Sequence, residues 1–151
     1  MTKFEILQIF TGFIGSLGFA ILFNIRGKKL IASSIGGFLS WTMFVLLDFL
    51  ISSEPIRYFL VSVIISVYAE IMARILKTPV TTFLLTSLIP LIPGGSFYNT
   101  MVSAFSGISE DFFDKAIYTL SLAIALALGI VITSAFTKII IQLWEKIICR
   151  Q

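Results

Sequence analysis

A chain of 151 residues with 58% hydrophobic side chains, 13% charged ones and a mean hydropathy of +1.04 is far too apolar for a soluble domain of its size. With no His and one Cys, Cys149, it can build neither an intrachain disulfide framework nor a His/Cys metal site. Its net charge of +3 is accounted for by basic loops kept in the cytoplasm and calls for no nucleic-acid partner. There is no GxSxG elbow, no Walker loop and no His to act as general base, so neither an enzyme nor a cofactor is expected. The expectation is an all-α, polytopic integral membrane protein, a single transmembrane domain over residues 1–151 with about five helices in the lipid bilayer.

The first helix is predicted over about residues 4–23. A weak cleavage candidate between Gly15 and Ala20 does not make it a signal peptide, so it is read as a retained span. Gly12, Ser16 and Ala20 recur at spacing four, as do Thr11 and Gly15, with Gly18 as a further small residue. This is the pattern that lets a second helix approach closely. Asn24, Arg26, Lys28 and Lys29 form a short basic loop around Gly27. A second helix follows over about 30–51, with Ser33/Gly37 and Gly36/Ser40 as small pairs and Asp48 near its far end. Pro55 is placed to open a third helix over about 56–76. That helix carries Tyr58 near one end, and Glu70 and Arg74 four apart near the other.

The fourth segment, about 80–106, is apolar enough to span but cannot be one continuous helix. Pro90 and Pro93 lack the N–H groups that the carbonyls of Thr86 and Ile89 need, and Gly94 and Gly95 relax the backbone beside them. The break near 90–95 leaves about eleven residues on either side, each half covering roughly half of a ~30 Å hydrocarbon core. Non-helical backbone at that depth survives where it is buried in protein or lines a polar cavity, and such breaks hold charged solutes in many transporters. A substrate site is therefore predicted at Pro93, Gly94, Gly95, Ser96, Tyr98, Asn99 and Thr100. Ser96 would cap the second half-helix, free N–H groups would take a carboxylate, and Tyr98, Asn99 and Thr100 would bond a substrate hydroxyl. The plain alternative is a kink that only shapes packing, with Tyr98 and Asn99 satisfying broken backbone. A fifth helix over about 116–148 follows an acidic loop of Glu110, Asp111, Asp114 and Lys115. Ser121, Ala125, Gly129, Thr133 and Thr137 give it a packing stripe, and its end runs along the interface with Trp144 at headgroup level.

Charge sets the expected orientation. Arg26, Lys28, Lys29, Arg74, Lys77, Lys138, Lys146 and Arg150 fall on one side, eight of the eleven basic residues. Six of the eight acids fall on the other. The positive-inside rule puts the C-terminus in the cytoplasm and the N-terminus outside, consistent with five crossings of the cell's inner (cytoplasmic) membrane.

Two stretches then resemble the signatures of the threonine/serine exporter family. They are SLGFAILFNIRGKKL, with Gly18, Phe19, Ala20, Phe23 and Asn24, and IPLIPGGSFYNTM, with Ile89, Pro90, Pro93 and Gly94. The chain is similar to the small-subunit type, in which the C-terminal membrane half is a separate chain. The resemblance implies a larger membrane subunit as partner, and export of threonine, serine or a related small metabolite driven by an ion gradient. It supplies no residue-level mechanism. Ion coupling would need an ionisable group within the membrane, and Asp48 and Glu70 are the candidates; Glu70 can instead simply pair with Arg74. Alternatives to a transporting subunit are an accessory or scaffolding subunit with no substrate site of its own, an exporter of another small carboxylate, and a self-assembled pore.

Overall fold

The computed structural model describes residues 3–105 and 109–148. Cys149 and Arg150, and the side chains of Glu110, Trp144, Glu145 and Lys146, on which parts of the charge and interface reading rest, lie outside the described residues. The described chain is helical, with no strand: α1 Lys3–Leu22, α2 Lys28–Asp48, α3 Glu54–Ile75, α4 Val80–Leu88, a 3₁₀ turn Ile89–Leu91, α5 Gly94–Phe105 and α6 Ser109–Ile148. Four helices (α1, α2, α3 and α6) are long and apolar enough to cross a membrane. The α4/α5 pair, bent by 58°, makes a fifth if it counts as one span.

Several predicted boundaries move, with α2 ending at Asp48 and α3 starting at Glu54. Lys28 and Lys29 belong to the first turn of α2, and the expected acidic loop is largely the first turns of α6, which begins at Ser109 rather than near residue 116. Asp111 and Lys115 lie four apart and their charges meet at 2.7 Å, an i,i+4 pair that supports helix where a loop was expected.

The loop after α1 is closed by hydrogen bonds of the Schellman type. Asn24 adopts φ 57°, its N–H reaches the Ile21 carbonyl at 2.9 Å, and the Ile25 N–H reaches Ala20 at 2.9 Å. Asn tolerates this left-handed conformation better than other side chains. Its Oδ1 also accepts from Arg26 Nε at 3.0 Å. Lys77 (φ 47°) ends α3 in the same way, with the Thr78 N–H on the Ala73 carbonyl.

Helices α2, α3 and α4 pack mutually; α1 lies on α2 and the 3₁₀ turn, α6 on α3, and α5 mainly on α6. Two apolar clusters fill the interior. One joins Tyr58, Val61 and Ile65 to Leu88, Leu91 and Leu122; the other joins Ala32, Ala69 and Ala73 to Phe83. Three interfaces close through glycine facing serine. A Cβ on Gly37 would collide with Ser16, one on Gly36 would meet Ser87 Cβ at 2.8 Å, and one on Gly129 would meet the Phe59 carbonyl at 2.8 Å and press on Ser62. The predicted small-residue faces of the second and last helices thus pack, as does the Gly12/Ser16/Ala20 face of the first. Gly15 and Gly18 have open space around them and are not part of that contact. Tyr68 ties α3 to α2 by donating to the Ala32 carbonyl at 2.7 Å.

Replacing Gly129 by Leu should force α6 off α3 at a cost of about 1–3 kcal/mol. Thermal unfolding in detergent should drop by roughly 3–10 °C, while Gly15→Leu should leave the transition nearly unmoved.

Candidate functional site

The break between α4 and α5 is a 3₁₀ turn that contains Pro90 and is followed by Pro93. The Ile92 N–H donates to the Ile89 carbonyl at 3.2 Å, the Gly94 N–H to Ile92 at 2.6 Å, and the Phe97 N–H to Pro93 at 3.0 Å. The Ile89 carbonyl is therefore occupied, not free as expected, because the chain tightens to i→i+3 bonding where Pro93 removes the i→i+4 donor. Helix α5 starts at Gly94, so Ser96 sits inside its first turn and does not cap it. The N–H groups of Gly95 and Ser96 have no backbone acceptor among the described residues, as at any helix start.

Six of the seven predicted site residues lie on this half-helix, with Pro93 just before it, but they do not share one face. Gly94, Gly95, Tyr98 (68% exposed) and Asn99 are exposed, and a side chain on either glycine would meet open space. Pro93 and Ser96 are half-buried. Thr100 turns inward: its Oγ1 lies 2.9 Å from the Ser96 carbonyl, 3.2 Å from the Lys115 carbonyl and 2.9 Å from Thr119 Oγ1, and so fastens α5 to α6.

The two candidate carboxylates stand apart from one another, each beside an arginine. Asp48 ends α2 and pairs with Arg57 in the first turn of α3. Asp48 is 61% exposed while Arg57 is only 12% exposed. The Arg57 guanidinium lies 5.0 Å from the centre of the Phe44 ring, and its Nε is buried without a partner. Glu70, 17% exposed, lies 3.6 Å from Arg74 one helical turn on.

A groove not anticipated from the sequence runs beside the break. Glu5, Gln8, Trp41, Phe44, Asp48 and Arg57 line a cavity of about 270 Å³. Gln8 and Trp41 also line a neighbouring cavity of about 220 Å³, together with Thr11, Gly12 and Pro90. The signal was present: Gln8 and Thr11 are polar groups in an apolar helix, and Arg57 is a cation set apart from the basic loops. A third cavity, about 190 Å³, lies between Phe23, Ile25, Thr81, Thr82 and Leu85 at the other ends of α1 and α4.

Thr100→Val removes the hydroxyl that joins α5 to α6. Interhelical bonds of this kind are worth about 0.6 kcal/mol and at most about 1.7 kcal/mol in membranes. A small fall in melting temperature with unchanged helix content is expected, read by circular dichroism during heating.

No curated protein and no solved structure matches the chain. The family model described as threonine/serine exporter, ThrE, matches residues 8–136. That span runs from Gln8 in α1 through the Asn24 turn and the Pro90–Gly95 break and far into α6, so it takes in both signature stretches and the whole helix order. The chain belongs to the threonine/serine exporter family.

Proposed function

We propose that this chain is one membrane subunit of a secondary exporter of small amino acids such as threonine and serine, working with a larger membrane subunit of the same family and driven by an ion gradient. The observation that carries the reading is the 58° break between α4 and α5, with its open, glycine-rich first turn. A helix N-terminus with unsatisfied N–H groups favours a carboxylate, and a break of this kind is where many transporters hold charged solutes. In this reading Pro93, Gly94, Gly95 and Ser96 shape the carboxylate end, Tyr98 and Asn99 reach the substrate from the exposed face, and Thr100 holds the half-helix in place. Asp48 and Glu70 are the coupling candidates, each able to exchange its arginine for an ion.

Helix α5 rests mainly on α6 and presents Tyr98 and Asn99 outward. A polar face at membrane depth is costly against lipid, which favours a protein neighbour there. A second half that starts outside and ends inside would be inverted relative to a first half of five crossings. Inverted halves enclosing a shared midplane site are common in secondary transporters. The chain acts as a single transmembrane domain in the cytoplasmic membrane, N-terminus outside and C-terminus inside.

Export should require both subunits: cells with this chain alone or the partner alone should retain threonine, and cells with both should release it. Full export by this chain alone would replace the paired model with a homo-oligomer. Export by the partner alone would leave this chain an accessory subunit, and release of a carboxylate in place of threonine would change the substrate. With both subunits present, Asn99→Leu should lower export more than it lowers expression.

Orientation can be read separately. In a Cys149→Ser background, an impermeant maleimide added to intact cells should label Ser52→Cys and spare Lys28→Cys. The reverse pattern would invert the proposed topology.

A further inference from the structure

We infer that the groove between α1 and α2 is a separate station on the substrate's path to the break, binding a zwitterionic amino acid with Arg57 on its carboxylate and Asp48 on its ammonium group. The ligand class rests on the exporter reading; the site itself rests on the groove. Two neighbouring cavities of about 270 and 220 Å³ share Gln8 and Trp41 in their walls. At roughly 30 Å³ per water-sized group, the larger one accepts a ligand of threonine's eight heavy atoms. The mouth holds charge of both signs, Arg57 with Asp48 and Glu5. The second cavity is lined by Pro90, so the groove reaches the break. From Asp48 to Trp41 is two turns of α2, about 10 Å along the helix.

The charges at the mouth favour a zwitterion over a simple ion. Asp48 and Arg57 already neutralise one another. A carboxylate that displaced Asp48 from Arg57 would leave Asp48 unpaired unless the same molecule brought a cation, and an unpaired charge at a partly buried site is costly. A zwitterion exchanges one ion pair for two and leaves neither Arg57 nor Asp48 alone. The two partners are suited to that exchange. Arg57 is held by burial and by the Phe44 ring, while Asp48, 61% exposed, is free to swing. Arg57 Nε is buried with no partner, so the guanidinium keeps one donor unsatisfied by the protein. Trp41, whose buried Nε1 also finds no partner, lines both cavities. The Thr11 hydroxyl donates to the Gln8 carbonyl at 2.9 Å and keeps its own lone pairs for a substrate hydroxyl. The site is complete within one chain, so it should bind substrate without the partner that export requires.

The chain has two Trp residues, so Trp144→Phe leaves Trp41 as the single indole. In lipid nanodiscs, L-threonine should change Trp41 fluorescence saturably. L-threoninamide, which lacks the carboxylate, and 3-hydroxybutyrate, which lacks the ammonium, should each bind at least about tenfold more weakly. Arg57→Gln and Asp48→Asn should weaken threonine by a similar factor, that expected for losing a charge-assisted bond. Should Arg57→Gln fail to fold, the two analogues on the unmutated groove decide the matter. The inference is overturned if threonine leaves Trp41 unchanged, if either analogue matches threonine, or if a folded Arg57→Gln chain binds as before. Threonine binding at Trp41 with no export from any subunit combination would uphold the groove and sink the exporter reading. Two-subunit export at full rate with Arg57→Gln would sink the groove and keep the exporter.

Discussion

Two missing amide protons, at Pro90 and Pro93, govern this architecture. A membrane interior offers no water to carbonyls that lose their helical partners, so the backbone around them must bond locally or be covered by protein. Both occur here. The chain tightens into the Ile89–Leu91 turn, and Leu91 is fully buried in the main apolar cluster. Covering the break requires α1 and α2 to approach the 3₁₀ turn, and both contact it.

That approach depends on glycine. Lipid tails are as apolar as Leu, so helices in a bilayer associate by close packing rather than by a hydrophobic effect. Serine on glycine, as in Ser16 on Gly37 and Ser87 against Gly36, brings backbones nearer than larger side chains allow. Gly12 extends the same contact to Trp41 and Pro90: a Cβ there would stand 3.3 Å from Trp41 Cβ and 3.6 Å from Pro90 Cβ. The glycine that lets α1 approach α2 thus also lies in the wall of the groove that opens onto the break.

Charge is sorted by position along the helices. Arginine and carboxylate meet at both ends of α3, as Arg57 with Asp48 and as Arg74 with Glu70. The Tyr118 hydroxyl donates to Glu54 between α6 and α3, at the same end as the Arg57 pair. The middle of the bundle carries hydroxyls instead. Ser16, Ser33, Ser66 and Ser87 are all buried, and their Oγ atoms find no side-chain or backbone partner among the described residues. The interior is therefore polar without being charged, and the ionisable groups are held where partial exposure lowers their cost.

The sequence by itself determined the class, the order of the helices and the location of the break, because each follows from local chemistry. Apolar runs near twenty residues, Pro90 and Pro93 without N–H groups, and an Asn at the end of the first helix act through their own backbone and immediate neighbours. Glu70 and Arg74 were legible as a pair for the same reason, since spacing four fixes a shared face. The start of α6 was misplaced because Asp111 and Lys115 read as loop charges until their i,i+4 pairing is seen within a helix. What only the tertiary structure decided is which surfaces meet. Thr100 looked like a substrate contact in the sequence, but it is turned toward Lys115 and Thr119 by the packing of α5 on α6. Gly15 and Gly12 look alike in the sequence, and only one of them lies against another helix. Residues of α1, α2 and α3 that are far apart in the chain, Gln8, Trp41 and Arg57, line one groove because packing across helices depends on the rotation of each about its axis, which spacing within a single helix does not specify.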